Sequence, residues 1–406
     1  VSAGEAVVRG GIELDGREIV PFDAAAVRDF LVPLRGQVDA VAITSVFAPV
    51  SSRHELAAGD IVREVMGPDV HLSLSHELGA LGILERENST VLNGALLGVA
   101  RDVAGTLGAA LEHRGIDAAL YFAQNDGTLM ALEHAVRFPV LTIGSGPANS
   151  LRGAAYLTGR DDAIVVDVGG TSTDIGVLVS GFPRESSQAV EIGGVRTNFR
   201  MPDIISIAVG GGTVAREGAI GPDSVAWRIG TESLAFGGST PTLTDAALLG
   251  RRASDIGSVT PDTAHADMLR NGLALADVAV ADAIDRVKTS RSDAPIIAVG
   301  GGSIILADPI AGASEILRPA NHDVANAIGA AIAKVSGSAE EVVTYTTRSH
   351  AEAVQEIAAR AGAAAVSAGA DPERVEVVDV EETPLTYMME PAARIRVKAA
   401  GPLAMG

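Results

Sequence analysis

The residues best suited to chemistry lie in one short segment, 167–174, which combines two carboxylates, two glycines and three hydroxyl groups. They are Asp167, Gly169, Gly170, Thr171, Ser172, Thr173 and Asp174. Glycine lets the backbone turn tightly and approach a phosphate within hydrogen-bonding distance. Two carboxylates beside such a turn suit a Mg²⁺ ion held mostly through water, or the orientation of an attacking nucleophile. The alternative is a β-hairpin whose glycines serve only the turn, but a plain hairpin needs neither the carboxylates nor the hydroxyls.

A second glycine-rich segment follows an apolar run at residues 296–299 and consists of Gly300, Gly301, Gly302 and Ser303. Three glycines after a strand leave a surface without side chains, against which a base or a ribose can lie. Glycine clusters are often ordinary turns. This one gains significance because it follows the 167–174 segment and precedes a small-residue helix predicted near residues 321–334.

Two groups of residues are weaker candidates for substrate contacts. Gly210, Gly211 and Gly212 repeat the Ala-Val-Gly-Gly-Gly pattern and predict another close-approach turn. Asn125 and Asp126 follow a predicted strand, where α/β proteins place ligand contacts, although an Asn-Asp-Gly turn explains them equally well.

Several charged residues also allow two explanations. His76 and Glu77, together with Glu85 and Arg86, are consistent with a substrate or metal site. The last two are equally consistent with an ordinary ion pair on a helix. The arginines at positions 196 and 200 are either phosphate ligands or solvated side chains of an irregular stretch.

The elements that must position these residues follow an α/β pattern, because strands alternate with helices over residues 1–143. Local signals include a hairpin turn at Asp15-Gly16 and a capping box, Ser52 with Glu55, at the start of a helix. A long helix is predicted over residues 88–114.

Residues 144–338 contain both glycine-rich segments, separated by a helix for which Thr260-Pro261-Asp262 is a good start. Residues 339–406 predict a small α+β module. We therefore predict three parts: the remainder of a first α/β subdomain, a second subdomain with the phosphate and adenosine segments, and the module.

Composition restricts the class of protein. The chain has 47% hydrophobic and 3% aromatic residues, which suits helix-covered sheets. No uninterrupted apolar run reaches membrane-spanning length, and no signal peptide is evident, so no membrane association is predicted. The chain contains no cysteine, which excludes disulfides and thiolate metal sites and fits a cytoplasmic location. A formal charge of −20 disfavours nucleic acid as a partner, and a nucleotide would need backbone N–H groups and a metal ion.

The ordered set of segments resembles the superfamily of actin, sugar kinases and heat-shock chaperones, whose fold is an actin-like ATPase (ribonuclease H-like) domain with mixed sheets. The whole chain is more similar to one branch, the hydantoinase/oxoprolinase family, typified by N-methylhydantoinase A-type ATP-dependent subunits. The resembling segments are 75–79 (SHELG), 84–90 (LERENST), 124–130 (QNDGTLM), 144–150 (GSGPANS), 201–203 (MPD) and 208–213 (AVGGGT).

This resemblance implies ATP-dependent opening of a cyclic amide, such as a hydantoin, 5-oxoproline or a related lactam, through phosphorylation of the carbonyl oxygen. It implies ATP and Mg²⁺ as cofactors, with Asp167 and Asp174 as catalytic and metal-binding residues. The glycines and hydroxyls of 169–173 would contact the phosphates, and 300–303 would face the adenosine. An oligomer with a second catalytic subunit of hydantoinase B type is expected.

One departure from the superfamily pattern is important. The superfamily holds its nucleotide between two halves, and no Asp-Gly-Gly-Thr motif precedes Asp167. The pattern therefore predicts that an N-terminal phosphate-binding segment is missing and that this chain alone is inactive. Two other functions remain open, a small-molecule kinase and a non-catalytic nucleotide-binding scaffold. Ketone carboxylation also lies within the resemblance.

Overall fold

The first part of the chain contains two short parallel strands flanked by helices. The computed structural model describes residues 2–78, 82–186, 190–199, 201–259, 263–346, 348–385 and 390–404. In chain order the first elements are α1 (Ala24–Leu31), β1 (Ala40–Ile43), α2 (Arg53–Met66), β2 (His71–Leu74) and α3 (Ile83–His113). β1 and β2 pair in parallel, so their carboxyl ends meet at one edge. An apolar cluster containing Leu31, Ile61 and Val62 packs α1 and α2 together.

Two local predictions in this region had different outcomes. The chain turns back at Asp15-Gly16 as predicted, and Ile12 and Glu18 form an antiparallel bridge there, although the flanking segments do not extend into strands. The predicted capping box was wrong. Ser52 does precede α2, but its side chain makes no capping hydrogen bond. Glu55 is wholly buried and accepts hydrogen bonds from residues outside α2, so its carboxylate is not available to complete a capping box.

The long helix α3 begins five residues before its predicted start, at Ile83 instead of residue 88, and ends one residue earlier, at His113. It is the one helix, in the part of the chain that the structure describes, whose length and composition alone would allow it to cross a membrane. Its most apolar 18-residue window has a mean hydropathy of 1.2, and 11% of that window is buried. The sequence predicted no membrane-spanning helix because glycine and charged residues interrupt the apolar runs. These interruptions still leave α3 with a window apolar enough, by composition, to cross a membrane.

Most of the remaining strands belong to two sheets. A connecting region contributes β3 (Tyr121–Ala123), β4 (Leu129–Ala131), α4 (Leu132–Arg137) and α5 (Ser145–Thr158). The next strands are β5 (Ala163–Val168), β6 (Thr173–Val179), β7 (Phe182–Pro183), β8 (Val190–Ile192), β9 (Val195–Thr197), β10 (Ile204–Ile207), β11 (Thr213–Arg216), β12 (Ala219–Ser224), β13 (Ala294–Val299) and β14 (Ala313–Leu317). The helices among them are α6 (Ile229–Glu232), α7 (Leu243–Leu249), α8 (Ala266–Val287) and α9 (Ala325–Ile332). The predicted start of α8 at 260–262 lies outside the described residues.

The central sheet is mixed and is covered by helices on both faces. Its order is β10-β6-β5-β13-β14, and β7 pairs with β6. β5 runs parallel to β13 and antiparallel to β6. Because successive side chains of a strand point to opposite faces, Ile164, Val166 and Val168 join the core under α7 and α8, whereas Val165 joins the core under α5 and α9. Asp167 therefore lies on the face that α5 covers.

The end of the chain forms β15 (Val335–Thr344), α10 (His350–Ser367), β16 (Glu376–Pro384) and β17 (Ala392–Gly401). These strands combine with the connecting region into a five-stranded sheet in the order β16-β17-β15-β4-β3. Ile357 and Ala361 of α10 pack on Ile395 and Val397 of β17. Residues of the first and third predicted parts thus share one sheet, and the boundaries at 143/144 and 338/339 stay predictions.

Candidate active site

The two carboxylates of the 167–174 segment lie side by side. Asp167 is the fifth residue of β5 and Asp174 the second residue of β6, and the two are direct partners in the antiparallel register. The turn between them is closed by the Gly169 N–H, which donates to the Ser172 carbonyl oxygen at 2.9 Å. The strand–turn–strand arrangement predicted from the sequence is therefore present, and it places both carboxylates on one face of the sheet.

The surroundings of both carboxylates disfavour their charged forms. Burial raises the pKa of Asp167, the Ser150 hydroxyl lowers it in part, and the neighbouring charge of Asp174 raises it further. Burial likewise raises the pKa of Asp174, and a hydrogen bond from Ser206 partly offsets this. Like charges directly opposite each other on neighbouring strands destabilise a sheet. The pair therefore favours a bound cation or a proton.

Two serines that hold these carboxylates were not identified from the sequence as site residues. Ser150 lies on α5 and Ser206 on β10, and the Ser206 hydroxyl donates to Asp174 Oδ1. Asn326 of α9 donates to Ser150 Oγ at 3.3 Å. Ser150 does end the 144–150 segment of the resemblance, whereas no local pattern distinguishes Ser206. Its role depends on the pairing of β10 with β6.

The turn itself presents backbone donors to solvent. Gly170 and Thr171 are exposed, and in the described part of the chain no acceptor receives the N–H groups of Gly170, Thr171 or Ser172. Successive free N–H groups in a tight turn form a concavity that binds anions. Thr173, in contrast, is buried and donates its hydroxyl to the Val209 carbonyl oxygen at 2.6 Å, so its side chain holds a neighbouring loop.

The two glycine triplets pack against this turn. Gly211 N and Gly212 N donate to the carbonyl oxygens of Gly169 and Gly170 at 3.0 and 2.7 Å. A Cβ at Gly210 would lie 2.7 Å from the backbone nitrogen of Thr171. All three glycines of this triplet are buried. Their lack of side chains allows the backbone of 210–212 to pack directly against the backbone of the turn.

The triplet at 300–302 also packs against the turn, next to the first triplet. Gly302 N donates to the Val168 carbonyl oxygen at 2.8 Å, and a Cβ at Gly300 would overlap Asp167 Oδ1. Gly301 is exposed and has open space where a side chain would be. Ser303 is buried. Of the predicted adenosine-facing residues, Gly301 is thus the one most open to a ligand.

Asn125 and Asp126 lie in the β3–β4 turn, where their side chains make structural bonds. The Asn125 amide donates to the Val140 carbonyl oxygen at 3.1 Å and accepts from Gly144 N at 2.7 Å. Asp126 pairs with Lys398 of β17 at 2.5 Å. Burial acts to raise the pKa of Asp126, but the Lys398 charge and the hydrogen bonds from Lys398 and Thr128 outweigh it, so this pKa is lowered. Their predicted role in substrate binding stays a prediction.

The remaining charged candidates are dispersed. Glu77 forms an ion pair with Arg137, and Glu85 lies 3.8 Å from Arg196. Arg200 lies outside the described residues. His76 contacts Glu55, and Arg86 is wholly buried beside them. Among the described residues, no group of three or more His, Asp or Glu side chains is arranged to hold a metal ion.

Two family descriptions match the sequence. "Hydantoinase/oxoprolinase N-terminal region" matches residues 2–66 and "Hydantoinase/oxoprolinase" matches residues 86–267, and together they cover more than half of the chain. The chain is 31% identical over 251 residues to caprolactamase subunit alpha of Pseudomonas jessenii, which is 59% of this chain and 36% of that protein. It is 27% identical over 294 residues to the acetophenone carboxylase gamma subunit of Aromatoleum aromaticum, which is 68% of this chain and 39% of that protein. The matched region thus spans less than two fifths of these relatives.

Two solved structures resemble the fold. One is the crystal structure of ATP-dependent caprolactamase from Pseudomonas jessenii, with a TM-score of 0.76 and 21% identity over 98% of this chain and 70% of that chain. The other is nucleotide-free acetone carboxylase, with a TM-score of 0.71 and 16% identity over 98% of this chain and 69% of that chain. The predicted fold class is confirmed: an actin-like ATPase (ribonuclease H-like) α/β fold with mixed sheets.

Proposed function

The chain belongs to the hydantoinase/oxoprolinase family, and from this premise we propose that it is the ATP-binding part of an ATP-dependent hydrolase that opens a cyclic amide. Its relatives are subunits of enzymes named for a lactam and a ketone. Hydantoin, 5-oxoproline and related lactams are the substrate class we propose for this chain.

The observation that carries this proposal is the position of Asp167 and Asp174 next to three backbone N–H groups that no acceptor among the described residues receives. The N–H groups of Gly170, Thr171 and Ser172 suit phosphate oxygens, and the two carboxylates suit a divalent cation. An acidic chain needs both features to bind an anionic nucleotide. The donor set therefore fits Mg²⁺, which takes oxygen ligands and usually keeps several waters.

In this mechanism each part of the site has one task. Asp167 and Asp174 would hold Mg²⁺, which would neutralise charge on the phosphates. The turn N–H groups would orient the terminal phosphate, and Gly301 would leave room for the adenosine. Transfer of that phosphate to the amide carbonyl oxygen turns a poor electrophile into one with a good leaving group, after which water can open the ring.

Partners and rival functions follow from the same premise. Because the curated relatives are named as subunits, we propose an oligomer with a second catalytic subunit of hydantoinase B type. We also propose a cytoplasmic location, which fits a chain without cysteine. A small-molecule kinase would instead leave the phosphate on its product. A non-catalytic scaffold would bind nucleotide without turnover.

The test is ATP turnover by the full-length protein together with its partner subunit. Mg²⁺, ATP and a panel of ε-caprolactam, 2-pyrrolidone, hydantoin and 5-oxoproline are supplied, and free phosphate and ring-opened product are measured. We expect both products in equal amounts and a loss of about 100-fold or more in Asp167→Asn. Asp285→Asn, on the exposed side of α8, is the matched control and should behave as wild type. A stable phosphorylated product would support the kinase, and nucleotide binding without turnover would support the scaffold.

A further inference from the structure

A polar pair outside the phosphate turn, Glu55 and His76, lies at the carboxyl ends of β1 and β2. His76 follows β2 by two residues, and Ser45 follows β1 by two residues. Glu55 reaches this edge from α2. In α/β sheets this is the edge at which ligands bind. The pair is therefore placed where a small molecule is expected.

The hydrogen bonds around Glu55 fix how the His76 ring is protonated. Glu55 is wholly buried, and its Oε1 accepts from Ser45 N at 2.8 Å and from the Ser75 hydroxyl. Its Oε2 accepts from His76 N at 3.0 Å and contacts His76 Nδ1 at 2.7 Å. Since every other partner donates to this carboxylate, Nδ1 carries the ring proton. In the neutral ring, Nε2 is then a hydrogen-bond acceptor.

The Nε2 atom is open to a ligand. The His76 side chain is 19% exposed, and in the described ranges no residue bonds to Nε2. Arg86, wholly buried, donates from Nε to Ser75 Oγ at 2.9 Å and from one terminal nitrogen to the Ser45 carbonyl oxygen at 2.6 Å. Its charge balances that of Glu55. The network thus holds one basic nitrogen at the surface of a rigid, charge-neutral cluster.

The cluster is connected to the phosphate turn by apolar packing and by one short stretch of chain. Leu78, two residues after His76, packs in an apolar cluster with Phe199 and Met201. From there the chain runs into β10, where Ser206 donates to Asp174. Packing at Leu78 and hydrogen bonding at Asp174 therefore involve one stretch of chain, residues 201–206.

We propose that His76 is the general base that removes the amide N–H proton of the lactam while the lactam carbonyl oxygen attacks the terminal phosphate of ATP, with Glu55 as its positioning residue. The N–H bond breaks, its proton goes to Nε2, and its electron pair forms the C=N bond of an imidate. The carbonyl oxygen bonds to phosphorus, and the bond from phosphorus to the ADP oxygen breaks. This inference rests on the proposed function and places the proton acceptor outside the phosphate turn, whose two carboxylates are assigned to the cation.

The test compares ADP formation by wild-type protein and His76→Gln, each full-length and with its partner subunit. Each is given ATP and the lactam panel. General base catalysis contributes about 10²- to 10⁴-fold, so His76→Gln should lose at least about 100-fold with N–H lactams. Added imidazole should restore part of the rate to His76→Ala. N-methylcaprolactam has no such proton, so it should be a poor substrate whose rate does not change with the substitution.

Two controls separate catalysis from folding. His113→Gln, at the exposed end of α3, should leave all rates unchanged. Nitrogen NMR of histidine-labelled wild-type protein should show the Nδ1–H form of His76, and Glu55→Gln should change that form. The Nε2–H form in wild type would overturn the inference. Equal rates for wild type and His76→Gln on N–H lactams would also overturn it and leave the proposed function standing, whereas no ATP use by wild type with any lactam would overturn both.

Discussion

At the scale of single residues, the Asp167–Asp174 pair opposes stability. Each carboxyl has a pKa raised by burial, so in the folded state the charged form is disfavoured. A group with a raised folded pKa contributes stability at low pH and loses it as the pH rises through that pKa. At neutral pH the charged pair therefore destabilises the folded state, and a bound cation would reduce this destabilisation.

The first prediction follows from this sign. Asp174→Asn removes one of two facing charges while its side-chain oxygen can still accept from Ser206. Without Mg²⁺ or nucleotide at pH 7, we expect the variant to be more stable than wild type by about 0.5–1 kcal/mol. At the same time it should lose the stabilisation that Mg²⁺ and ATP give to wild type. Urea unfolding with and without both ligands measures the two effects.

The pH dependence provides the control for this prediction. The advantage of Asp174→Asn should shrink as the pH falls below the raised pKa values, because the wild-type pair then gains a proton. Asp285→Asn should show neither effect. A variant that is less stable than wild type at pH 7 would contradict the repulsion argument.

At the scale of elements, the same short pattern can have different outcomes. Ser349 and Glu352 form a capping box at the start of α10, although the same Ser-x-x-Glu pattern forms none at Ser52 and Glu55. The two sites differ in burial, since Glu352 is exposed and Glu55 is buried among donors from other elements. The local pattern encodes the cap, but the competing partners of Glu55 come from residues 45 and 75–76. Nothing in residues 52–55 could reveal them.

The crossing of α5 and α9 is another element-scale feature that positions the site. Gly153 of α5 packs on the Ala325 carbonyl, and Gly329 of α9 packs on the Asn149 carbonyl. The small residues of both helices thus allow them to pack closely. Asn149 directly precedes Ser150, which interacts with Asp167, so the crossing and the carboxylate pair are coupled.

The second prediction tests this coupling. A Cβ at Gly329 would overlap the Asn149 carbonyl oxygen, and overpacking of this kind costs about 1–3 kcal/mol. We therefore expect Gly329→Ala to lower the free energy of unfolding by that amount and to weaken nucleotide binding, measured by urea unfolding and calorimetry.

A matched glycine is available on α3. A Cβ at Gly105 meets open space, so Gly105→Ala should raise stability by about 0.5–1 kcal/mol through helix propensity. It should leave nucleotide binding unchanged. If Gly329→Ala were as stable as wild type, the close approach would not constrain the helices.

At the scale of the whole molecule, the arrangement of strands was the least predictable feature. The strand–turn–strand at 163–179 could be read locally because β5 and β6 are neighbours in sequence and in the sheet. The pairing of β15 with β4, at Val335 and Leu129, joins residues about half the chain apart. The alternation of apolar and polar residues indicates that a strand forms and which of its faces is buried. It does not indicate which distant strand will pair with it. Ser206 was missed as a site residue for the same reason.

The last prediction concerns the charge of the whole chain. With 51 acidic and 31 basic residues, the formal net charge is −20. Repulsion among these charges destabilises the compact state, and most of the ion pairs that oppose it are at the surface and weak. Raising NaCl from about 0.01 M to about 1 M shortens the Debye length from about 30 Å to about 3 Å. We expect the free energy of unfolding at pH 7 to rise by on the order of 1–3 kcal/mol, measured by urea midpoints.

Near the sequence pI of 4.8 the net repulsion is almost absent, so the same salt change should have a much smaller effect there. A fall in stability with salt at pH 7 would mean that favourable ion pairs, such as Arg348 with Glu341 and Glu356, outweigh the net repulsion.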